Sequence, residues 1–235
     1  MHGNAVAFEA VLAELAAEPV DAVVCLGDAL QGGPQPVEVL DLLVQLDCPV
    51  VLGNADAFLL DPHASLEEAT PPQLEVREWS NEQLGPERLD RVRTFAPTVE
   101  LDLGHGQRLL AFHGSPSSYD AQLTPVQPYG EFRAAVGEIT TSVLAGGHIH
   151  QQYLRRVDGA LMVNPGSVGL SWAWDDQAAG IDPFAAYARL TTSERGLEVA
   201  FRRVALDVDE VVGAIERSGV PYAENAIEGW RRVRR

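Results

Sequence analysis

The stretch Ser142-Val143-Leu144-Ala145-Gly146-Gly147-His148-Ile149-His150 decides how the rest of the chain is interpreted. Its apolar start predicts a short buried strand, and it ends on two glycines and two histidines. In an extended strand, side chains two residues apart point to the same side, whereas a turn at the glycine pair would direct the imidazoles toward different neighbours. Either geometry presents two nitrogen ligands to a divalent metal ion. By itself, such a pair is more often two polar histidines in a loop.

Four other stretches repeat this pattern of an apolar run that ends in glycine beside a potential ligand. They are Asp21 to Asp28, Pro49 to Asp56, Arg108 to Pro116 and Ala160 to Ser167, and the chain itself opens on Met1-His2-Gly3-Asn4. Glycine allows the backbone to turn sharply after a strand. A strand followed by glycine and a ligand is typical of a site at the carboxyl ends of strands in an α/β sheet. The repetition therefore predicts one site built from several strand ends.

Strands and helices alternate along the chain, which indicates an α/β fold. Hydrophobic periodicity predicts strands at 21–26 and 49–52, hairpins at 99–112, 153–163 and 185–204, and helices at 4–17, 36–46, 72–84, 86–95 and 208–218. The basic tail, residues 228–235, is expected to be frayed. Ser115, beside a candidate ligand, is interpreted as a turn residue rather than a nucleophile.

Composition limits the partners and the compartment. The net charge is −17 and every basic residue is arginine, which argues against a nucleic-acid polymer or an anionic membrane as partner. A small phosphate ester remains compatible, because bound cations dominate the local field. Two cysteines without a disulfide framework, and the lack of a signal-peptide pattern, predict a cytoplasmic protein. Homo-oligomerisation is left open.

In chain order, the motifs H-G-N, G-D, G-N-x-D, H-G, G-H-x-H and N-P-G-S resemble the calcineurin-like metallophosphoesterase family, in particular its small bacterial and archaeal phosphodiesterase branch. The resemblance extends from His2 to about Gly169. It implies a four-layer α/β/β/α sandwich of two mixed β-sheets flanked by helices. It also implies a single domain over residues 1–235, with a helical insertion at about 57–98. That insertion would either cover one edge of the site or lie on the surface without affecting substrate choice.

The resemblance further implies two divalent metal ions. The first would be bound by His2, Asp28 and His150, and the second by Asp28, Asn54, His113 and His148. Asp28 would bridge the two ions, and Asp28, Asn54 and Asp56 are the candidate catalytic residues. Mixed nitrogen and oxygen ligands favour manganese, iron or zinc over calcium.

Two departures from the family pattern affect this interpretation. The family begins with a strand that ends in D-x-H, but this sequence starts at Met1-His2 and lacks that strand and its aspartate. Either an internal methionine was taken as the start, or the chain is truncated and the first ion has three protein ligands. In addition, Ala55 stands where many members carry a histidine that protonates the leaving group.

These observations predict a metal-dependent phosphoesterase. It would hydrolyse phosphodiesters or small nucleotide phosphate esters by attack of a water activated by two metal ions. The alternative is a catalytically impaired or non-catalytic member that uses the fold as a scaffold, as a retromer subunit of this family does. The retained candidate ligands argue against a pure scaffold, which has no need of them.

Overall fold

A computed structural model describes residues 1–64, 69–173 and 180–232. Its helices are α1 (Ala5–Ala17), α2 (Pro36–Leu46), α3 (Asn54–Leu60), α4 (Pro71–Val92), α5 (Tyr129–Val136), α6 (Val208–Ser218) and α7 (Ala223–Arg231). Its strands are β1 (Thr98–Gly104), β2 (Gln107–Phe112), β3 (Val143–Gly146), β4 (Gln152–Val157), β5 (Ala160–Pro165), β6 (Trp172–Ala173), β7 (Gly180–Ile181), β8 (Phe184–Ser193) and β9 (Gly196–Ala205).

One continuous sheet forms the centre of the molecule, with the strand order β1-β2-β3-β5-β4. Strand β3 pairs in parallel with β2 and β5, while the predicted hairpins β1–β2 and β4–β5 are antiparallel. Alternate residues of β3 therefore pack on opposite faces: Leu144 belongs to the cluster with Phe132 of α5, and Val143 and Ala145 belong to the cluster beneath β8 and β9. This strand is buried on both faces, as its apolar sequence predicts.

The second layer of β-structure consists of separate pieces. The hairpin β8–β9 is one piece. Among the described residues, the extended segment 21–26 meets the segment 49–52 in a single parallel bridge at Cys25–Val50, and the segment 49–52 meets Ala96 in another at Val51–Ala96. Residues 21–26 and residues 186–192 of β8 both line one cavity. The predicted α/β class, with a mixed sheet flanked by helices, is confirmed. The predicted strands 21–26 and 49–52 are shorter pairings than the sequence indicated.

Helix starts and stops follow local sequence. The side chain of Asn4 accepts a hydrogen bond from Ala7 N at 3.1 Å and caps α1. Asp207 caps α6 by accepting from two backbone N–H groups. Helix α4 is kinked at Gly85, where φ is 67°, so the two helices predicted for this region are its two halves.

Some elements were not predicted, and one prediction is wrong. Helices α3, α5 and α7 are short, and tertiary contacts rather than periodicity support them. Residues 228–231 belong to α7, where Trp230 is buried, so the tail is not frayed there; residues 233–235 lie outside the described part of the chain. None of the described helices is both long and apolar enough to cross a membrane. The single domain over 1–235 stays a prediction.

The predicted insertion at 57–98 contains the end of α3 and all of α4. Arg77 donates to the carbonyl oxygens of Phe58 at 2.5 Å and Leu59 at 2.9 Å, and Asn81 donates to Leu59 at 3.0 Å. Because these carbonyls lie at the carboxyl end of α3, α4 satisfies acceptors that the helix itself leaves open. The role of the insertion at 57–98 in substrate choice stays a prediction.

Candidate metal centre

The six predicted ligands meet at one edge of the central sheet. His113 follows β2, and His148 and His150 follow β3, so two parallel neighbours deliver their ligands to the same edge. Asp28 lies in the turn after residues 21–26, His2 lies in the first turn of the chain, and Asn54 is the first residue of α3. Together the set is His2, Asp28, Asn54, His113, His148 and His150.

Four of these residues have left-handed backbone conformations. The φ angle is 51° at His2, 50° at Asp28, 68° at His148 and 57° at His150. A positive φ outside glycine costs roughly 1–3 kcal/mol and is concentrated at functional sites. The turns at His148 and His150 splay the two imidazoles toward different partners. Of the two geometries that the sequence left open, the structure has the splayed one.

The first ligand group consists of His2, Asp28 and His150. The Nε2 atoms of the two histidines are 2.9 Å apart, and His2 Nε2 lies 3.6 Å from Oδ2 of Asp28. His2 Nδ1 donates to the carbonyl oxygen of Gln31 at 3.2 Å, which leaves the lone pair on Nε2. Nδ1 of His150 is buried and has no hydrogen-bond partner among the described residues.

The second ligand group consists of Asp28, Asn54, His113 and His148. Nε2 of His113 lies 3.2 Å from Oδ2 of Asp28 and 3.1 Å from Oδ1 of Asn54. The same amide oxygen is 3.0 Å from Nδ1 of His148. His113 Nδ1 donates to the carbonyl oxygen of Leu26 at 2.6 Å, so its Nε2 is directed into the group. Such an outer bond is how ligating histidines are usually oriented.

Asp28 belongs to both groups through one oxygen. Its Oδ2 faces His2 and His113, while its Oδ1 accepts a hydrogen bond from Ala55 N at 2.8 Å. The residue is 4% exposed. Its carbonyl oxygen accepts from the ammonium group of Met1 at 2.9 Å. A buried carboxylate oxygen between two sets of imidazoles is the arrangement required of a bridging ligand.

Protonation states at this edge suit metal binding. Burial lowers the pKa of His2 to about 4 and that of His150 to about 3, and burial together with His113 lowers the pKa of His148. Burial alone would raise the pKa of Asp28, but His113 and His2 outweigh it and hold that pKa well below its usual range. Burial alone would also lower the pKa of His113, but Asp28 raises it above the ordinary value. Three neutral imidazoles and an ionised carboxylate are the forms that bind metals.

Two glycines allow the ligand loops to approach each other. A Cβ on Gly53 would lie 2.2 Å from Oδ1 of Asp28, a distance that no side chain tolerates. Gly27 has a φ of 89°, and a Cβ there would lie 2.6 Å from the backbone nitrogen of Gly53. The glycines of the G-D and G-N-x-D motifs therefore have a steric reason.

Asp56 connects the same two loops from beneath. It is fully buried, and it accepts from Ala29 N at 2.9 Å and from Gly53 N at 3.3 Å. Burial and the charge of Asp28 raise its pKa to about 6. These contacts hold the backbone around Asp28 and Asn54; the predicted catalytic role of Asp56 stays a prediction.

Asn164 acts on the backbone beside a ligand. This buried side chain donates to the carbonyl oxygen of Gly147 at 2.6 Å and accepts from Gly166 N at 3.0 Å. The contact lies one residue before His148. The carbonyl oxygens of Leu26 and Gln31 were not foreseen, because every residue carries a carbonyl and no sequence signal distinguishes these.

The other residues considered from the sequence lie in turns. Ser115 N donates to the carbonyl oxygen of Ser118 at 2.7 Å, in agreement with its interpretation as a turn residue. His63 and His105 are exposed in turns. None of these three belongs to the ligand groups found among the described residues.

The donor set fits divalent cations. In each group, the ligand atoms of the histidines and the aspartate lie within 4.8 Å of one another. Histidine nitrogens converge with the oxygens of Asp28 and Asn54, and this mixture of imidazole, carboxylate and amide donors suits a divalent cation. The identity and the number of the ions stay predictions.

Comparison with known proteins gives relatives of low sequence identity. The uncharacterized protein MJ0912 of Methanocaldococcus jannaschii is 23% identical over 170 residues, which are 72% of this chain and 68% of the relative. The crystal structure of hypothetical protein PH1004 from Pyrococcus horikoshii has a TM-score of 0.78 at 23% identity, over 96% of this chain and 92% of the other. A metallophosphoesterase from Sphaerobacter thermophilus has a TM-score of 0.68 at 24% identity, over 97% and 95%. These structures support the fold.

Family membership follows from a match over most of the chain. Residues 1–187 match the calcineurin-like phosphoesterase superfamily domain. This range contains all six ligands and all five strands of the central sheet, and it ends within β8. The chain therefore belongs to the calcineurin-like phosphoesterase superfamily.

Proposed function

We propose that this chain is a phosphodiesterase that uses two metal ions to hydrolyse phosphodiesters or small nucleotide phosphate esters. Its superfamily supports the broader class, a metal-dependent phosphoesterase. The observation that carries the finer proposal is the position of Asp28 Oδ2, which faces a histidine of each ligand group.

The first ion would be held by His2, Asp28 and His150, and the second by Asp28, Asn54, His113 and His148. Two divalent cations held by these residues would supply Lewis acidity toward phosphate oxygens and would lower the pKa of a bound water. Manganese, iron and zinc all accept this mixture of imidazole, carboxylate and amide ligands.

The residues of the chain orient and hold this assembly. The carbonyl oxygens of Gln31 and Leu26 set the ring orientations of His2 and His113 through their Nδ1–H groups. Because Oδ1 of Asn54 faces two histidines, its amide N–H groups remain to donate to a phosphate oxygen. Low-pKa histidines stay unprotonated at neutral pH, so the proton for the leaving group must come from elsewhere.

The substrate is small in this proposal. A charge of −17 repels a nucleic-acid polymer, and only the field of bound cations reverses this locally. Binding would therefore depend on the ions rather than on a basic groove.

The test combines metal content with hydrolysis. Chelator-treated protein is reloaded with manganese and assayed with bis(p-nitrophenyl) phosphate and with the monoester p-nitrophenyl phosphate. We expect manganese-dependent turnover that favours the diester. His105→Ala, in an exposed turn, is the matched control for the loss of a histidine away from the centre. A preference for the monoester would contradict the diesterase proposal, and bound manganese without turnover would favour a non-catalytic scaffold.

A further inference from the structure

The loop between β2 and α5 begins at a candidate ligand and then folds back toward it. Gly114 directly follows His113, and a Cβ on Gly114 would lie 2.7 Å from the carbonyl oxygen of Tyr119 and 2.7 Å from the backbone nitrogen of Ala121. The two neighbours of Asp120 therefore pack against the residue that follows His113. A side chain at Gly114 would push this part of the loop away from the second ligand group.

Asp120 lies beside the ring of His148. Nδ1 of that ring faces Oδ1 of Asn54 at 3.0 Å, so Nε2 is the nitrogen that remains for an outer partner. Burial and the charge of His113 lower the pKa of His148, whereas Asp120 acts against them through its charge and through a hydrogen bond with its backbone. A backbone bond that favours the protonated ring goes to a carbonyl oxygen, and ligating histidines usually have such an outer partner. Ser118 Oγ accepts from Asp120 N at 3.2 Å and restrains the same backbone.

Tyr119 connects this loop to the predicted insertion at 57–98. Its hydroxyl donates to the carbonyl oxygen of Ala64 at 2.8 Å, and Ala64 follows the end of α3. Helix α3 begins with the candidate ligand Asn54. The start of this helix therefore reaches the second ligand group directly, and the segment after its end reaches the group through Tyr119 and the adjacent Asp120.

The far end of the same loop is held by the central sheet. Leu123 is buried, and its carbonyl oxygen accepts a hydrogen bond from the hydroxyl of Tyr153 at 2.7 Å. Arg155 donates to the carbonyl oxygen of Thr124 at 3.1 Å. Tyr153 and Arg155 both belong to β4, so several contacts fix this end of the loop independently of the insertion.

We propose that Tyr119 is a positioning residue that couples the insertion to the second ligand group. Its bond to Ala64 holds Asp120 against His148, and the position of Asp120 sets the orientation of that imidazole toward a cation. The insertion thereby acts on the metal centre through a defined contact. This inference rests on the metal binding in the proposed function, but it does not depend on hydrolysis.

The test removes one tyrosine hydroxyl at a time from the whole chain. Tyr119→Phe deletes the donor to Ala64, and Tyr153→Phe is the matched control, because it deletes a donor at the end of the loop that Arg155 still holds. Manganese affinity is measured by calorimetric titration in the His150→Ala background, in which the second ligand group is the complete one. We expect Tyr119→Phe to weaken binding by about threefold, below the ~10–100-fold typical of groups that bond a ligand directly, and Tyr153→Phe to change it little.

A second readout uses the metal-free chain. NMR spectra of the imidazole nitrogens report the tautomer and the hydrogen bonding of each histidine. We expect the signals of His148 to shift in Tyr119→Phe, with those of His2 unchanged as an internal reference. A loss of general stability alone would not single out one ring.

Unchanged His148 signals in Tyr119→Phe would overturn the proposal. Equal effects of Tyr119→Phe and Tyr153→Phe would also overturn it, because they would assign the orientation of His148 to the loop as a whole rather than to its bond with the insertion. If manganese does not bind to the unaltered chain, the proposed function fails, and the NMR comparison still decides this inference. The two failures are therefore distinguishable.

Discussion

The two ligand groups share Asp28 but differ in how firmly their other members are held. In the second group, His113 has a side chain that is 2% exposed, and its ring bonds a backbone carbonyl on one side and faces two ligands on the other. In the first group, the side chain of His2 is 14% exposed, and Nδ1 of His150 is buried without a hydrogen-bond partner among the described residues. Preorganised ligands lose less entropy on binding, so we expect the second site to be the tighter one.

The largest effect should come from the residue that the two groups share. Asp28→Asn removes the charge between the ions, and we expect loss of at least one metal and a more than 100-fold drop in turnover, because changes of outer contacts alone cost ~10–100-fold. Metal analysis and diester hydrolysis measure this, and circular dichroism checks the fold. Activity like that of the unaltered chain would rule out a bridging role.

Removing one histidine from each group compares the two directly. We expect His148→Ala to weaken the tighter manganese site by at least about tenfold, whereas His150→Ala should leave that site nearly unchanged. Calorimetric titration with manganese should resolve unequal sites in the unaltered chain. Two equally tight sites, or equal losses in both variants, would contradict the comparison.

Ala55 directly follows Asn54, a candidate ligand of the second group. The methyl side chain of Ala55 cannot protonate the leaving group. A positioned general acid gives ~10²–10⁴ in rate. We expect Ala55→His to raise turnover of esters with poor leaving groups by only about tenfold, because Asp56 already accepts hydrogen bonds from Ala29 N and Gly53 N and orients the new ring incompletely.

The measurement is the rate against leaving-group pKa for Ala55→His and for the unaltered chain. Activated esters should change little, because a nitrophenolate leaves without a proton. Parallel lines of equal slope would show that another group already supplies the proton.

The smallest effect should come from Asn164, whose side chain bonds backbone atoms beside the second ligand group. Asn164→Asp keeps an acceptor for Gly166 N but loses the donor to the carbonyl oxygen of Gly147. We expect a few-fold weaker manganese affinity at the tighter site, below the ~10-fold typical of groups that bond a ligand directly. An unchanged titration would show that the position of His148 does not depend on this bond.

Motifs identified candidate ligands that the structure brings together, because these residues are short-range features of strand ends. Each motif combines a glycine with a candidate ligand a few residues away, so a short stretch of sequence reveals it. Gly53 and Gly27 have a steric role, because a Cβ at either position would clash with the neighbouring ligand loop. Long-range features were invisible: the carbonyl partners of His2 and His113 are ordinary backbone, and α5 and α7 are too short for periodicity to indicate them.

The sequence by itself determined the superfamily, the α/β class and the candidate ligands, because strand periodicity and glycine-ligand motifs are local properties of the chain. Only the tertiary structure decided which histidine joins which group. The positive φ angles of His148 and His150 direct neighbouring imidazoles to different partners, and no local pattern distinguishes this turn from a continued strand. Only the structure shows that, within the described ranges, residues 21–26 bridge to the 49–52 segment at Cys25–Val50 alone. Hydrogen bonding between strands depends on which segments meet in space, and the apolar cavity beside these residues is the consequence.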